Sequence, residues 1–167
     1  TFRVAYAGRL DLFKSPPLMF KTMARLREKL GEGVEFHYMG TSDPHRFAEF
    51  KSIEAITTLH GFKSAAGVSE VLGNAHAAIL TSEFEGMPFA VLEALGCGRP
   101  IGAIHLPQLE SVVIEGLSGK LVLRSDSEDG MADRLSDAFV DLREAIRTGR
   151  LTPDGVATSI RDFTPER

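Results

Sequence analysis

The chain has 167 residues, of which 43% are hydrophobic and 25% are charged, and these values fit one globular domain. A net charge of −4 and an isoelectric point of about 5.7 argue against nucleic acid or an anionic membrane as the main partner. The single cysteine excludes an internal disulfide and fits a reducing compartment, so we expect a cytoplasmic protein, with peripheral attachment at the inner face of the membrane as an alternative for the full-length protein.

Short apolar runs alternate along the chain with longer helical patterns, which predicts a parallel sheet with helices on both faces. We expect about six strands, at 2–8, 34–40, 56–62, 76–82, 100–104 and 119–125. Helical patterns cover 16–30, 43–52, 64–74, 88–96, 108–116, 127–147 and, more weakly, 153–161. The predicted fold class is therefore α/β, a doubly wound sheet. Ligands of such sheets bind outside the carboxyl ends of the strands, near the switch point of the topology.

The loop after the first predicted strand, "GRLDLFKSPP", carries two cations ahead of a helix. Gly8 ends the strand, Arg9 and Lys14 follow, and Ser15 stands where it can cap the helix 16–30. A helix N-terminus favours anions, so one interpretation is a phosphate or carboxylate site. The alternative is that both cations are solvated surface charges. The loop has neither P-loop nor Gly-x-Gly-x-x-Gly spacing, which disfavours a dinucleotide cofactor.

A second candidate segment, "TSEFEGMPFAVLEAL", follows the fourth predicted strand. Pro88 suits the first helical position, and no capping side chain stands directly before it, so a ligand could supply the missing cap. Glu93 lies among apolar residues, and we expect its covered carboxylate to need either a structural arginine or the paired hydroxyls of a ligand such as ribose. Glu85 either favours the helix dipole or contacts a ligand. No His, Cys or acidic cluster has convincing metal-binding spacing, so we expect no metal.

Four motifs in order, across roughly residues 3 to 145, resemble the group 1, family 4 glycosyltransferases. "EGMPFAVLEALGCGRPI" resembles the family's E-x7-E signature, with Glu85 and Glu93 as the two acids. "GRLDLFK", "LHGF" and "LESVVIEGLSGKLV" resemble its GRL-x-x-x-K loop, its F-x-G element and its PE-V-V-x-x-G-x-x-G-x-L-V segment. The resemblance implies a Rossmann-like domain that forms one half of a GT-B fold.

The resemblance also implies a role for each matched residue. Arg9 and Lys14 would bind the donor diphosphate and stabilise leaving-group charge, and Glu85 would contact the donor sugar; these are the catalytic candidates. Glu93 would accept the ribose hydroxyls, and the loop at 61–62 would lie against the nucleobase. The other donor-binding candidates are glycines and apolar residues: Gly8, Gly61, Phe62, Gly86, Met87, Pro88 and Phe89.

The activity implied by the resemblance is retaining, metal-independent transfer of a sugar, of hexosyltransferase type, from a UDP-, GDP- or ADP-sugar without a cofactor. Residues 1–167 would be the C-terminal, nucleotide-sugar-binding domain. Because the chain starts at Thr1 directly on a predicted strand, we expect an excised domain whose N-terminal, acceptor-binding domain is missing. Alone it should bind nucleotide but turn over poorly, and the identity of the acceptor is not predicted.

Two alternatives come from other functional classes. A GT-B nucleotide-sugar epimerase would use a similar cleft, although the E-x7-E spacing favours a transferase. A non-catalytic doubly wound binding domain, such as a receiver, is disfavoured because the first loop is basic and "HGFKS" has no aspartate. The chain also departs from the family pattern at His76, at Pro88 and in the missing glycine pair before Glu110.

Overall fold

The computed structural model describes residues 1–161 and contains one six-stranded parallel sheet. The strands are β1 (Phe2–Ala7), β2 (Val34–Met39), β3 (Thr57–Gly61), β4 (Ala77–Leu80), β5 (Ile101–Ile104) and β6 (Gly119–Val122). Their order, β3-β2-β1-β4-β5-β6, reverses direction between β1 and β4, so the switch point lies between these two strands. The predicted α/β class is confirmed. Residues 162–167 of the predicted domain lie outside the described residues.

Five α-helices within residues 1–161 cover the sheet. They are α1 (Pro16–Leu30), α2 (Ala65–Asn74), α3 (Phe89–Gly96), α4 (Glu128–Arg147) and α5 (Pro153–Thr158). Crossovers on the two sides of β1 run in opposite directions, so right-handed connections place α1 on one face and α2 and α3 on the other. Helix α4 packs beside α1, and α5 packs beside α3. Within residues 1–161, no helix has the length and apolar character that a bilayer crossing requires.

The core explains why the central strands read as continuous apolar runs. Every residue of β4 and β5 is buried, because helices cover both faces of the sheet. On the α1 face, the ring of Phe20 packs edge-on against Phe36 and Phe50, with centroids 6.3 and 5.3 Å apart. This core holds the strand ends in place, and the loops that follow them are therefore built on a rigid base.

Two of the predicted helices are wrong. The segment 43–52 forms two 3-10 turns, because Phe47 adopts an extended conformation between them. The segment 108–116 forms only a 3-10 turn at Pro107–Leu109. There Gly116 takes a positive φ of 79°, and the Ser118 hydroxyl accepts a hydrogen bond from the Ile114 amide, which ends the helical conformation.

The start of α1 also differs from the prediction. Ser15 occupies the N-cap position, but its side chain makes no capping hydrogen bond, and its backbone is left-handed, with φ of 49° and ψ of 59°. Pro16 and Pro17 occupy the first two helical positions and have no N–H groups, so little remains for a cap to satisfy. The predicted cap at Ser15 is therefore wrong, although the predicted bounds of the helix are confirmed.

Candidate functional site

Two loops meet at the switch point of the sheet, and they carry most of the predicted site residues. The basic loop, residues 8–15, follows β1, and the acidic loop, residues 81–88, follows β4. A backbone hydrogen bond of 2.8 Å joins them, from the amide of Glu83 to the carbonyl of Phe13. Because β1 and β4 are neighbours in the sheet, residues about 70 positions apart in sequence share one edge.

Lys14 and Glu85 form an ion pair at the junction of the two loops. The Lys14 Nζ lies 2.5 Å from the Glu85 Oε1, and the Ser82 hydroxyl donates to the same oxygen at 2.7 Å. The side chains are only 24% and 11% exposed. The Lys14 ammonium has three donors, so it can hold Glu85 and still donate to an anion. The sequence pattern does not predict this pairing, because the two residues are 71 positions apart.

Arg9 extends from the same loop but is not anchored by its side chain. The Arg9 side chain is 82% exposed, and its ion-pair partner is Asp11, with a long Nε to Oδ2 distance of 3.9 Å. Such a pair contributes little in water. The position of Arg9 therefore leaves its planar group free to bind an anion at this edge of the sheet.

Helix α3 begins at Phe89 rather than at Pro88, which occupies the N-cap position. No side chain caps this start, as the sequence predicted. The expectation that Glu93 is covered is wrong, because α3 buries only the face formed by Val91, Ala94 and Leu95 and leaves Glu93 exposed. Within the described part of the chain, its carboxylate has no ion-pair or hydrogen-bond partner, so no structural arginine holds it.

Two hollows lie at this edge of the sheet, and a crevice of only about 10 Å³ lies beside them between α2 and α3. The first, about 240 Å³, is lined by the basic loop at Gly8 and Arg9 and by Phe62 and Lys63 after β3. The second, about 220 Å³, is lined by Lys14, Glu85 and the α3 start, including Met87, Pro88 and Phe89. The two hollows and the crevice share lining residues, and together we call them the trough; Arg9 lines one hollow, whereas Glu93 lines only the crevice.

Large apolar side chains are exposed around this trough. Phe62 is 78% exposed and Phe89 is 62% exposed, and Phe84 and Met87 lie between them in the acidic loop and are also exposed. Leaving a phenylalanine in water forgoes roughly 1.5–3 kcal/mol of burial. Exposed rings beside a polar trough are typical of a surface that stacks on a ligand or on another part of a protein. Among the glycine candidates, Gly61 ends β3 with a positive φ of 68°, and Gly86 is exposed.

Several residues that support this site were missed by the sequence analysis. The hydroxyls of Tyr6 and Tyr38 donate to carbonyls of the basic loop, and burial raises the pKa of both phenols, which keeps them protonated. The Thr81 hydroxyl donates to the carbonyl of Lys14, and Arg124 donates to the carbonyl of Ser82 at 2.9 Å. The polar pair "TS" at the end of an apolar strand was the only signal in the sequence.

Across residues 1–161, no group of three or more His, Cys, Asp or Glu side chains is placed to hold a metal ion. Positive charge at the trough comes instead from Arg9, Lys14 and Lys63.

A parallel sheet of this order, with cations and acids at its switch point, is typical of Rossmann-like ligand-binding domains. The chain belongs to the glycosyl transferases of group 1: the family model matches residues 1–141. The family predicted from the sequence motifs is therefore confirmed.

Known proteins of this kind are similar over nearly the whole chain. A D-inositol 3-phosphate glycosyltransferase of Paenarthrobacter aurescens (strain TC1) is 25% identical over 158 residues, which are 90% of this chain and 38% of that protein. The lipopolysaccharide outer core galactosyltransferase WaaB is 26% identical, with a TM-score of 0.73 over 97% of this chain and 45% of that one. The pneumococcal O-GlcNAc transferase GtfA, solved with UDP and GlcNAc, is 19% identical, with a TM-score of 0.81 over 97% of this chain and 32% of that one.

This chain therefore spans only about a third of the length of the first relatives that it matches. The solved structures share the fold of this chain, and its family follows from the family model.

Proposed function

We propose that this chain is the donor-binding domain of a retaining glycosyltransferase, which takes a nucleoside-diphosphate sugar as donor and needs no metal. The observation that carries the proposal is the pair of neighbouring hollows at the switch point, one lined by Arg9 and the other by Lys14 and Glu85, with Glu93 on the crevice beside them. GtfA was solved with UDP, which makes UDP the first nucleotide to test.

The order of the hollows supports an arrangement of the donor along the trough. The hollow at Phe62 and Lys63 takes the nucleobase, with the exposed phenylalanine ring available for stacking. Glu93 lines the crevice that shares residues with both hollows, and its exposed carboxylate, which has no partner within residues 1–161, accepts the ribose hydroxyls. The hollow at Lys14 and Glu85 takes the diphosphate and the sugar. In this arrangement each of the two acids has ligand hydroxyls to accept: Glu93 those of the ribose and Glu85 those of the donor sugar.

Charge on the departing diphosphate is stabilised by the protein's own cations in this proposal. Lys14 is held in place by Glu85, and Arg9 is exposed at the wall of the neighbouring hollow. The uncapped start of α3 adds the positive end of a helix dipole. Fixed positive groups aimed at developing negative charge supply the kind of electrostatic stabilisation on which such a reaction depends.

Given the proposed retention, the state of the two acids decides between a double displacement and displacement on the front face. A double displacement requires a carboxylate free to attack the anomeric carbon. Glu85 is held by Lys14 and Ser82, and Glu93 lies a full turn inside α3. Neither is placed as a nucleophile, so the proposal favours displacement on the front face, with the leaving diphosphate assisting the acceptor.

The acceptor is held by a second, N-terminal domain in this proposal. The matched relatives are about three times as long as this chain, which leaves ample length for such a domain. We expect the present domain to bind nucleotide alone and to transfer sugar only as part of the longer protein.

The test is calorimetry of the domain with UDP, GDP and ADP, with and without EDTA. We expect at least one nucleoside diphosphate to bind, with an affinity that EDTA leaves unchanged. Absence of binding to all three would refute the donor-domain assignment, and loss of binding in EDTA would refute metal independence.

Glu93→Gln tests the ribose assignment. We expect the variant to bind the preferred nucleotide about tenfold more weakly, while the 2′,3′-dideoxy analogue binds wild type and variant equally, because it lacks the hydroxyls that the carboxylate accepts. Glu32→Gln is the matched control, since Glu32 is exposed and precedes β2, at the opposite edge of the sheet. Equal losses for both ligands would mean that Glu93 does not bind the ribose.

A further inference from the structure

Two buried tyrosines hold the first part of the basic loop. The Tyr38 hydroxyl donates to the carbonyl of Gly8 at 2.8 Å, and the Tyr6 hydroxyl donates to the carbonyl of Arg9 at 2.9 Å. Their rings are stacked, with centroids 6.0 Å apart, on neighbouring strands. Both phenols therefore point to the carboxyl edge of the sheet and fix two successive carbonyls there.

A buried threonine holds the far end of the same loop. The Thr81 hydroxyl donates to the carbonyl of Lys14 at 2.7 Å and reaches that of Ser15 at 3.2 Å. Ser15 is the only residue other than glycine with a positive φ in residues 1–161. Such a conformation costs roughly 1 kcal/mol or more and persists only where the surroundings impose it. Thr81 supplies that constraint beside the catalytic candidate Lys14.

The backbone carbonyls and amides of the basic loop are used unequally. Within residues 1–161, every carbonyl of the loop accepts a hydrogen bond, whereas many of its amides donate none. Arg46 donates to the carbonyl of Leu10, and the amide of Glu83 donates to that of Phe13. The remaining carbonyls of the loop accept hydrogen bonds from amides within the loop and in α1. Within the described part of the chain, four loop amides find no acceptor: those of Arg9, Asp11, Leu12 and Phe13. The backbone of the loop thus offers donors and no free carbonyl, and this arrangement favours an anion, although the Asp11 Oδ1 within the same loop is a buried acceptor without a partner in residues 1–161.

We propose that Tyr6, Tyr38 and Thr81 are positioning residues of the donor site, whose hydroxyls occupy the carbonyls of the basic loop and so preform it for the diphosphate. The inference rests on the proposed function for the identity of the anion. A loop that is already ordered loses less entropy on binding, so removing a hydroxyl weakens binding although none of the three needs to touch the ligand.

Two glycines leave the space that the tyrosine hydroxyls need to reach the basic loop. A methyl group built on Gly8 would lie 2.8 Å from the Tyr6 oxygen, and one on Gly40 would collide with the Tyr38 hydroxyl and the Gly8 carbonyl. Both positions therefore have to be glycine for the hydroxyls to reach their acceptors.

The experiment compares Tyr6→Phe, Tyr38→Phe and Thr81→Val with wild type. Thr22→Val is the matched control, because the Thr22 hydroxyl is equally buried and donates at 2.7 Å to a carbonyl inside α1. Thr81→Ser restores the hydroxyl. Affinities for UDP and for uridine are measured by calorimetry, and amide hydrogen exchange of residues 8–15 is measured without ligand.

We expect each of the three variants to weaken UDP binding by about five- to tenfold while uridine binding changes by less than about twofold, because the amides and cations of the loop bind the phosphates, whereas Gly8 and Arg9 form only one wall of the nucleobase hollow. Exchange at residues 8–15 should accelerate in these variants, and neither effect should occur in Thr22→Val. Thr81→Ser should bind UDP as wild type does. Unchanged exchange, or equal losses for UDP and uridine, would overturn the positioning role.

The two proposals fail in different ways. If wild type binds no nucleoside diphosphate, the proposed function fails, and the exchange rates still decide whether the three hydroxyls order the loop. If wild type binds UDP but the variants bind it equally well, only the positioning role is lost.

Discussion

Replacing Lys14 by methionine separates its structural role from its binding role. The substitution keeps most of the side-chain volume but leaves the charge of Glu85, whose side chain is 11% exposed, with Ser82 as its remaining partner. Breaking a fully buried ion pair costs about 3–5 kcal/mol. Because the Lys14 side chain is 24% exposed, solvent reduces this cost, and we expect a loss of about 2 kcal/mol in the free energy of unfolding.

Removing the charge of Glu85, which has lost its partner in Lys14→Met, should then restore part of the stability but not the binding of UDP. We expect Lys14→Met/Glu85→Gln to recover about 1 kcal/mol relative to Lys14→Met, since a neutral amide has a smaller desolvation cost. UDP binding should weaken by about 10- to 100-fold in Lys14→Met, the range for a hydrogen bond to a charged group, and stay weak in the double variant.

The measurements are urea unfolding and calorimetry with UDP on wild type, both single variants and the double variant. Lys51→Met is the control, because Lys51 is exposed and lies outside the trough. Recovery of UDP binding in the double variant would refute the reasoning, because it would mean that Lys14 acts only by neutralising Glu85.

Two other perturbations test the surrounding structure. Gly40→Ala should lower the free energy of unfolding by about 1–3 kcal/mol in urea melts, because the methyl group collides with the Tyr38 hydroxyl, whereas Gly73→Ala, in open space on α2, should not destabilise the protein. Burial, with the Arg3 charge as a smaller cause, lowers the pKa of His76, so as pH falls the histidine is protonated in the unfolded chain before it is protonated in the folded protein. The free energy of unfolding should therefore decrease as pH drops from 7 to 5, and it should decrease less in His76→Asn. A variant whose stability depends on pH as strongly as that of wild type would contradict this.

The fold followed from the sequence because its signals were local. Helix α1 carries an apolar stripe and two prolines at its start, and its predicted bounds match the structure. The apolar runs of β4 and β5 correctly indicated strands covered on both faces. The failures at 43–52 and 108–116 have local causes too, but these causes are backbone conformations at Phe47 and Gly116 that composition does not reveal.

The site was predicted less completely because parts of it depend on packing between distant segments. Glu93 was expected to be covered because its neighbours are apolar, yet Phe89 and Glu93 share an exposed face of α3. Apolar composition does not imply burial where a ligand or another domain has to bind. The hydroxyls of Tyr6 and Tyr38 meet the basic loop only because the register of β1 and β2 places these residues side by side. A single sequence does not reveal that register.

The long sequence separation across the trough has a consequence for how the protein folds. Lys14 and Glu85 are 71 positions apart, and Thr81 and Lys14 are 67 positions apart, so no local segment contains the site. The site can form only when β1 and β4 have paired at the centre of the sheet, which requires much of the cooperative unit to be native. A bound nucleotide should therefore stabilise the whole domain against unfolding rather than one loop, and its dissociation on heating should coincide with the loss of the sheet.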